Sequence, residues 1–188
     1  MEKIGIFGGP FDPFTIAHRE IVKKSLDIVD KIIIVPTTIT YYRNSDVPPL
    51  FSFWQRMKII DFACKDLDRE RIIITSIEKE KPDTWRFIDT LEEIKNIWLD
   101  KDDEAYIIVG SDTFDKLDTW AESERITREY KFIVAEGRSG KNSTNPLPHE
   151  SIMIDNNMTS ASNYRSRLTD FAESEYIMWM DEFIRRGM

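Results

Sequence analysis

Short runs of β-branched and apolar residues recur along this chain, and between them lie longer stretches with apolar residues at three-to-four spacing. That alternation constrains the fold most. A continuous apolar run reads as a strand buried on both faces of a parallel sheet, and each longer amphipathic stretch reads as the crossover helix that covers it. The strands are expected at Lys3 to Phe7, Lys31 to Pro36, Arg71 to Ile77, Glu104 to Val109 and Lys131 to Ala135, with a weaker sixth at Ser151 to Ile154. Helices are expected at Ile16 to Ile28, Phe51 to Leu67, Arg86 to Trp98 and Ser123 to Glu129. The fold class that follows is α/β, a Rossmann-like three-layer αβα sandwich with a mostly parallel sheet. At 188 residues the chain is the size of one domain, covering 1–188.

Composition removes several classes of function. A net charge of −8 argues against general nucleic-acid binding, which needs a basic face. No segment reaches the ~18 consecutive apolar residues of a membrane span. Met1 to Phe7 lacks the basic and long apolar regions of a secretory signal, so the expectation is a cytoplasmic protein with neither nucleic acid nor membrane as partner. Cys64 is the single cysteine; with Ile59, Ile60, Phe62 and Ala63 around it, it is expected to be a buried small hydrophobe.

The chemistry concentrates at Gly8 to His18, GGPFDPFTIAH, between the first strand and the first helix. Gly8 and Gly9 lack a Cβ, which lets backbone approach an anion closely and permits φ > 0. Pro10 and Pro13 stiffen the turn. A helix beginning near Phe14 to Ala17 aims unpaired N–H groups and its positive dipole end at a phosphate. Thr15 and His18, three apart, fall on one face of its first turn. The plain alternatives are a tight glycine turn and a surface histidine on an amphipathic helix. Loops at Thr37 to Leu50 and Gly137 to Glu150 leave the carboxyl ends of strands, where ligands of open parallel sheets bind, so both are expected to share a crevice with the Gly8 turn. His149, after Pro146 and Pro148, reads as incidental.

Gly8 to His18 resembles the G-x-F-D-P-x-[HT]-x-G-H signature of the nucleotidylyltransferase superfamily. Ile108 to Trp120, IVGSDTFDKLDTW, resembles the G-[AS]-D-x-x-x-x-L-x-x-W block of bacterial nicotinate-nucleotide adenylyltransferases, and Ser160 to Arg165, SASNYR, stands in the place of their S-S-T-x-I-R helix start. Weaker echoes are Tyr42-Arg43, Arg56-Met57 and Ile88 to Leu91. The resemblance implies transfer of the AMP moiety of ATP to nicotinate mononucleotide, a step of NAD synthesis, with Mg²⁺ arriving on ATP.

By that resemblance His18 and Thr15 act at the α- and β-phosphates, and Arg165 with Ser160 and Ser162 holds the leaving pyrophosphate. Gly8, Gly9, Pro10 and Phe11 wrap ATP, while Gly110 and Asp112 hold the adenosine sugar. Trp120 lies against the pyridine ring, with Arg43 and the segment of Thr84 and Trp85, up to Arg86, around the acceptor. Ser111 and Asp112 also read as a helix N-cap, and Trp120 as core. The chain departs from the pattern at Thr15 and Ala17, where His and Gly are usual, at Ala161, at Tyr42 and Arg43, and at Ala121. Thr15 is what phosphopantetheine adenylyltransferases carry. Transfer to phosphopantetheine, a cytidylyltransferase using CTP, and a nucleotide-binding module without catalysis therefore stand as alternatives.

Overall fold

The computed structural model describes residues 1–37, 49–82, 84–137 and 142–154. Six strands form one sheet: β1 (Lys3–Gly9), β2 (Lys31–Pro36), β3 (Ile72–Ile74), β4 (Glu104–Gly110), β5 (Lys131–Glu136) and β6 (Glu150–Met153). Their spatial order is β3-β2-β1-β4-β5-β6 and every pairing is parallel. The helices are α1 (Ile16–Ser25), α2 (Phe53–Ala63), α3 (Phe87–Trp98), α4 (Ser111–Phe114) and α5 (Ser123–Glu129). Among the described residues, no helix is long and apolar enough to cross a membrane.

Alternation along the strands divides the core into two layers. Phe7, Ile32, Ile34, Ile108 and Ile133 pack with Ala17 and Ile21 of α1 and Ile59, Ile60 and Ala63 of α2. Ile6, Ile33, Val35, Ile107 and Val134 pack on the opposite face with Ile88, Leu91 and Ile94 of α3, Phe114 of α4 and Ile126 of α5. Both faces of β2 are therefore covered, and Ile32 to Val35 have no accessible surface, as a central parallel strand requires. Cys64 lies in the first layer, and burial pushes its thiol up to about 11.

The sheet order reverses between β1 and β4, and there the sheet comes apart. Pairing of β1 with β4 ends at Ile6 and Ile107, although β1 runs on beside β2 to Gly9 opposite Pro36 and β4 runs on beside β5 to Gly110 opposite Ala135. The carboxyl ends of the two strands splay, which opens a crevice at the topological switch point.

While β1, β4 and β5 run slightly past their apolar patterns, β3, α1 and α2 are shorter than theirs. Arg71 is not strand: it closes a 3₁₀ turn over Arg69–Arg71, and its guanidinium donates to the carbonyls of Leu26, Val29 and Asp30. β3 stops near Thr75, whose hydroxyl accepts the Ile77 N–H and turns the chain. α1 stops at Ser25 because the N–H groups of Ile28 and Val29 both turn back to the Ser25 carbonyl. α2 starts at Phe53 behind a capping box of Ser52 and Gln55. The short α4 and a 3₁₀ turn at Leu117–Thr119 lack the length to show a period in the sequence.

Candidate functional site

A cleft of about 500 Å³ fills the crevice between β1 and β4. Its walls include Gly8, Gly9 and Pro10 from the end of β1, Ile108 and Val109 from β4, Arg86 and Phe87 at the start of α3, and Thr113, Trp120 and Ala121 beyond β4. The glycine turn and the block around Trp120, more than a hundred residues apart, thus face one space.

Gly8 and Gly9 are strand residues, and neither has positive φ. The expected left-handed conformation occurs at Phe11, with φ of 44°, just before a cis Asp12–Pro13 bond. The glycines are needed for room. A Cβ on Gly8 would sit 2.8 Å from Phe87 Cε2, and one on Gly9 would sit 3.0 Å from Phe11 Cε1. The space that the missing side chains leave is filled by two phenyl rings.

Thr15 and His18 do meet, and on each other. Thr15 is the N-cap of α1: its hydroxyl accepts the His18 backbone N–H at 3.4 Å, and its own N–H donates to His18 Nδ1 at 2.9 Å. This is a capping box with histidine in the place usually held by Glu or Gln. A backbone N–H can only donate, so Nδ1 is an acceptor and a neutral ring carries its proton on Nε2. The ring lies among Phe7, Phe11 and Phe14 at centroid distances of 6.1, 5.3 and 5.4 Å, with 8% of the residue exposed. The surface-histidine alternative does not fit that burial.

Two buried charges, to which the sequence analysis gave no role, hold the turn. The Asp12 carboxylate, with no accessible surface, accepts the N–H groups of Leu50 and Phe51 at 2.9 Å each. Arg56 of α2, 2% exposed, donates through Nη1 to the carbonyls of Pro10 and Thr37. The first ties the turn to the entry of α2, and the second joins the ends of β1 and β2. Buried charges persist where hydrogen bonds satisfy them, and these two fix the turn between them.

At the aromatic end, Phe87 and Trp120 meet edge to face with centroids 5.2 Å apart. Trp120 is half-buried, packed partly on the core and partly lining the cleft. Thr84 is exposed. Neither it nor Trp85 lines the cleft, where Arg86 and Phe87 stand instead. Trp85 serves as a peg: its indole N–H donates to Thr90 Oγ1 at 2.8 Å, Thr90 donates to Glu78 Oε1 at 2.6 Å, and Lys81 Nζ lies 4.3 Å from the Trp85 ring.

Gly110 is the N-cap of α4, so Ser111 and Asp112 are its first residues rather than its cap. Asp112 is exposed, and a Cβ on Gly110 would lie 2.8 Å from its Oδ1. The next carboxylate, Asp115, collects Ser143 Oγ and the N–H groups of Thr144 and Asn145, and those donors hold its carboxyl below the usual range. Asn145 donates to the Phe114 carbonyl, pinning the segment after β5 onto α4. His149 belongs to the same assembly: Nδ1 lies 2.7 Å from the Leu147 carbonyl, Nε2 lies 3.5 Å from buried Glu136, and the ring packs on Phe114. It is a structural residue, not an incidental one. Arg43, Tyr42, Ser160, Ser162 and Arg165 lie outside the described residues.

A family model described as cytidylyltransferase-like matches residues 6–167, which spans both the glycine turn and the Trp120 block. The "Probable nicotinate-nucleotide adenylyltransferase" of Aliarcobacter butzleri is 31% identical over 161 residues, covering 84% of each chain. The chain belongs to the nicotinate-nucleotide adenylyltransferase family. It is a nucleotidyltransferase. A protein of the same name from Thermus thermophilus is 25% identical over 93% of this chain and 90% of its own length. In fold, the chain is similar to the Plasmodium falciparum nicotinic acid mononucleotide adenylyltransferase complexed with NaAD. That match has a TM-score of 0.76 and 22% identity, over 100% of this chain and 97% of that one. The six-stranded parallel sheet is thus the fold of solved nicotinate-nucleotide adenylyltransferases.

Proposed function

We propose that this chain joins the adenylyl group of ATP to nicotinate mononucleotide and releases pyrophosphate, a step in the synthesis of NAD. The observation that carries this reading is the cleft itself. It runs from the glycine turn before α1 to the Phe87 and Trp120 rings, and its volume lies within the ~300–1,000 Å³ of small-molecule sites. An anion-binding turn and an aromatic wall in one space suit a nucleotide phosphate and a pyridine ring brought together.

In the reaction, an oxygen of the mononucleotide phosphate attacks the α-phosphorus of ATP in line. The bond from that phosphorus to the bridging oxygen breaks, and its electron pair leaves with pyrophosphate. No side-chain nucleophile is required; rate comes from aligning two anions and neutralising charge on the phosphoryl oxygens. His18 is suited to donate Nε2–H to a phosphate oxygen, since Thr15 N–H commits Nδ1. Thr15 then acts mainly by orienting that ring. The start of α1 adds its dipole, and Gly8 and Gly9 keep the wall free of side chains. Asp112, exposed beside the cleft, suits the diol of the adenosine sugar. Magnesium would arrive with ATP and would supply charge neutralisation at the triphosphate.

Pyrophosphate release, measured with ATP or CTP against nicotinate mononucleotide, nicotinamide mononucleotide and phosphopantetheine, tests the reading. ATP with nicotinate mononucleotide should give dinucleotide and pyrophosphate in equal amounts, and CTP none. Binding of ATP without turnover of any acceptor would favour the nucleotide-binding module instead.

A further inference from the structure

We propose that Arg125 is a positioning residue of the cleft: it latches α5 onto α3 and so holds Trp120 against Phe87. The inference rests on the adenylyltransferase reading of the cleft and names what keeps its aromatic wall in place.

Phe87 and Trp120 meet in the cleft but belong to different elements, Phe87 to the first turn of α3 and Trp120 to the stretch that leads into α5. The Trp120 carbonyl accepts the N–H of Ser123, the first residue of α5, at 3.2 Å, which ties Trp120 to that helix. On the inner side, Ile126 of α5 shares a core layer with Ile88, Leu91 and Ile94 of α3. On the outer side the link is ionic. Arg125 Nη2 lies 2.6 Å from Glu92 Oε1 of α3, while its Nε donates to Glu129 Oε1 at 2.9 Å and its Nη1 to Glu122 Oε2 at 3.4 Å. Three carboxylates from two helices thus converge on one guanidinium. A planar fork with several N–H groups engages all three at once.

Two features carry the effect of this latch beyond its own ion pairs. Glu122, the N-cap of α5, has φ of 55°, a left-handed conformation that favours glycine, and its side chain makes no capping bond. The turn after Ala121 therefore depends on its surroundings for its shape. Arg125 grips it twice, through a backbone N–H on the Glu122 carbonyl at 3.0 Å and through the guanidinium on the Glu122 carboxylate. Loss of the guanidinium would also leave Glu92, Glu122 and Glu129 clustered, with Lys95 at 4.0 Å and Arg128 at 3.8 Å from Glu129 too distant to replace it. Attraction between the helices then becomes repulsion. The Arg125 side chain is 34% exposed, so solvent screens the pairs and the effect on the ring contact is graded.

The indole N–H resonance of Trp120, assigned by its loss in Trp120→Phe, reports the ring contact with no substrate present. Arg125→Ala and Glu92→Ala should each shift it, and Arg128→Ala, which loses one loose contact, should not. In steady state, with the other substrate saturating, Arg125→Ala and Glu92→Ala should raise the KM for nicotinate mononucleotide about threefold to fivefold and leave kcat and the KM for ATP within about twofold. Combined, the two should cost no more than Arg125→Ala alone, as partners in one interaction do. An unmoved Trp120 resonance, an equal shift in Arg128→Ala, an unchanged KM for the mononucleotide, or a KM for ATP that rises in step with it overturns the proposal. If wild type forms no dinucleotide, adenylyl transfer fails, whereas a Trp120 resonance that moves in both latch variants still supports the role of Arg125.

Discussion

At the scale of single residues, the account turns on His18 and the residue that orients it. His18→Ala removes the proposed donor to the phosphate and should lower kcat by about two to three orders of magnitude. Thr15→Ala removes the N-cap, at a cost of about 1 kcal/mol in stability, and frees the ring, so kcat should fall less than in His18→Ala; Thr15→Ser should restore both. Steady-state turnover and urea denaturation of the three variants check this. An unchanged kcat in His18→Ala removes it from the mechanism. The pairing of Thr15 with His18 was legible from their spacing of three. That the pair caps a helix was not, because a capping box is normally read from Glu or Gln. Asp12 and Arg56 were invisible as staples for a different reason: their partners lie 38 and 46 residues away, and nothing in a linear pattern records that distance.

At the scale of elements, α4 is held from behind by the segment after β5. The donors on Asp115 depress its folded-state pKa below the unfolded value, so its contribution to stability is complete above the ordinary carboxylate range, about 4. It is lost as pH falls through the lower folded value. The amide proton shifts of Thr144 and Asn145 should therefore titrate together with a midpoint below about 4, and Asp115→Asn should abolish that step. A midpoint at the unperturbed value would show that the clamp does not form in solution. All six strands and the helices α1, α2, α3 and α5 were legible, since six apolar runs and four amphipathic stretches all became elements, whereas the short α4 was not. Their ends were less so: Arg71 and Ser25 end their elements through backbone carbonyls, which apolar periodicity does not encode.

For the whole molecule, the sheet order is the fact that matters most. The alternating pattern implied a parallel sheet but held no signal for strand order, so the parting of β1 from β4 became visible only in three dimensions. The integrity of that sheet can be followed at Cys64, the C-cap residue of α2, buried in the core layer beside it with a thiol raised to about 11. Burial shields the thiol and keeps it protonated near neutral pH, so the native protein should resist a disulfide reagent that labels the denatured chain at once. Rapid labelling of the native protein would mean that this layer opens readily.

The central claim is that one cleft holds both halves of the reaction. It is tested most directly by a crystal structure with nicotinate adenine dinucleotide. The pyridine ring should lie against Phe87 and Trp120, with the phosphate bridge over Gly8 and Gly9 within reach of His18 Nε2. A dinucleotide bound outside the parting of β1 and β4, or with its phosphates away from the start of α1, would contradict it.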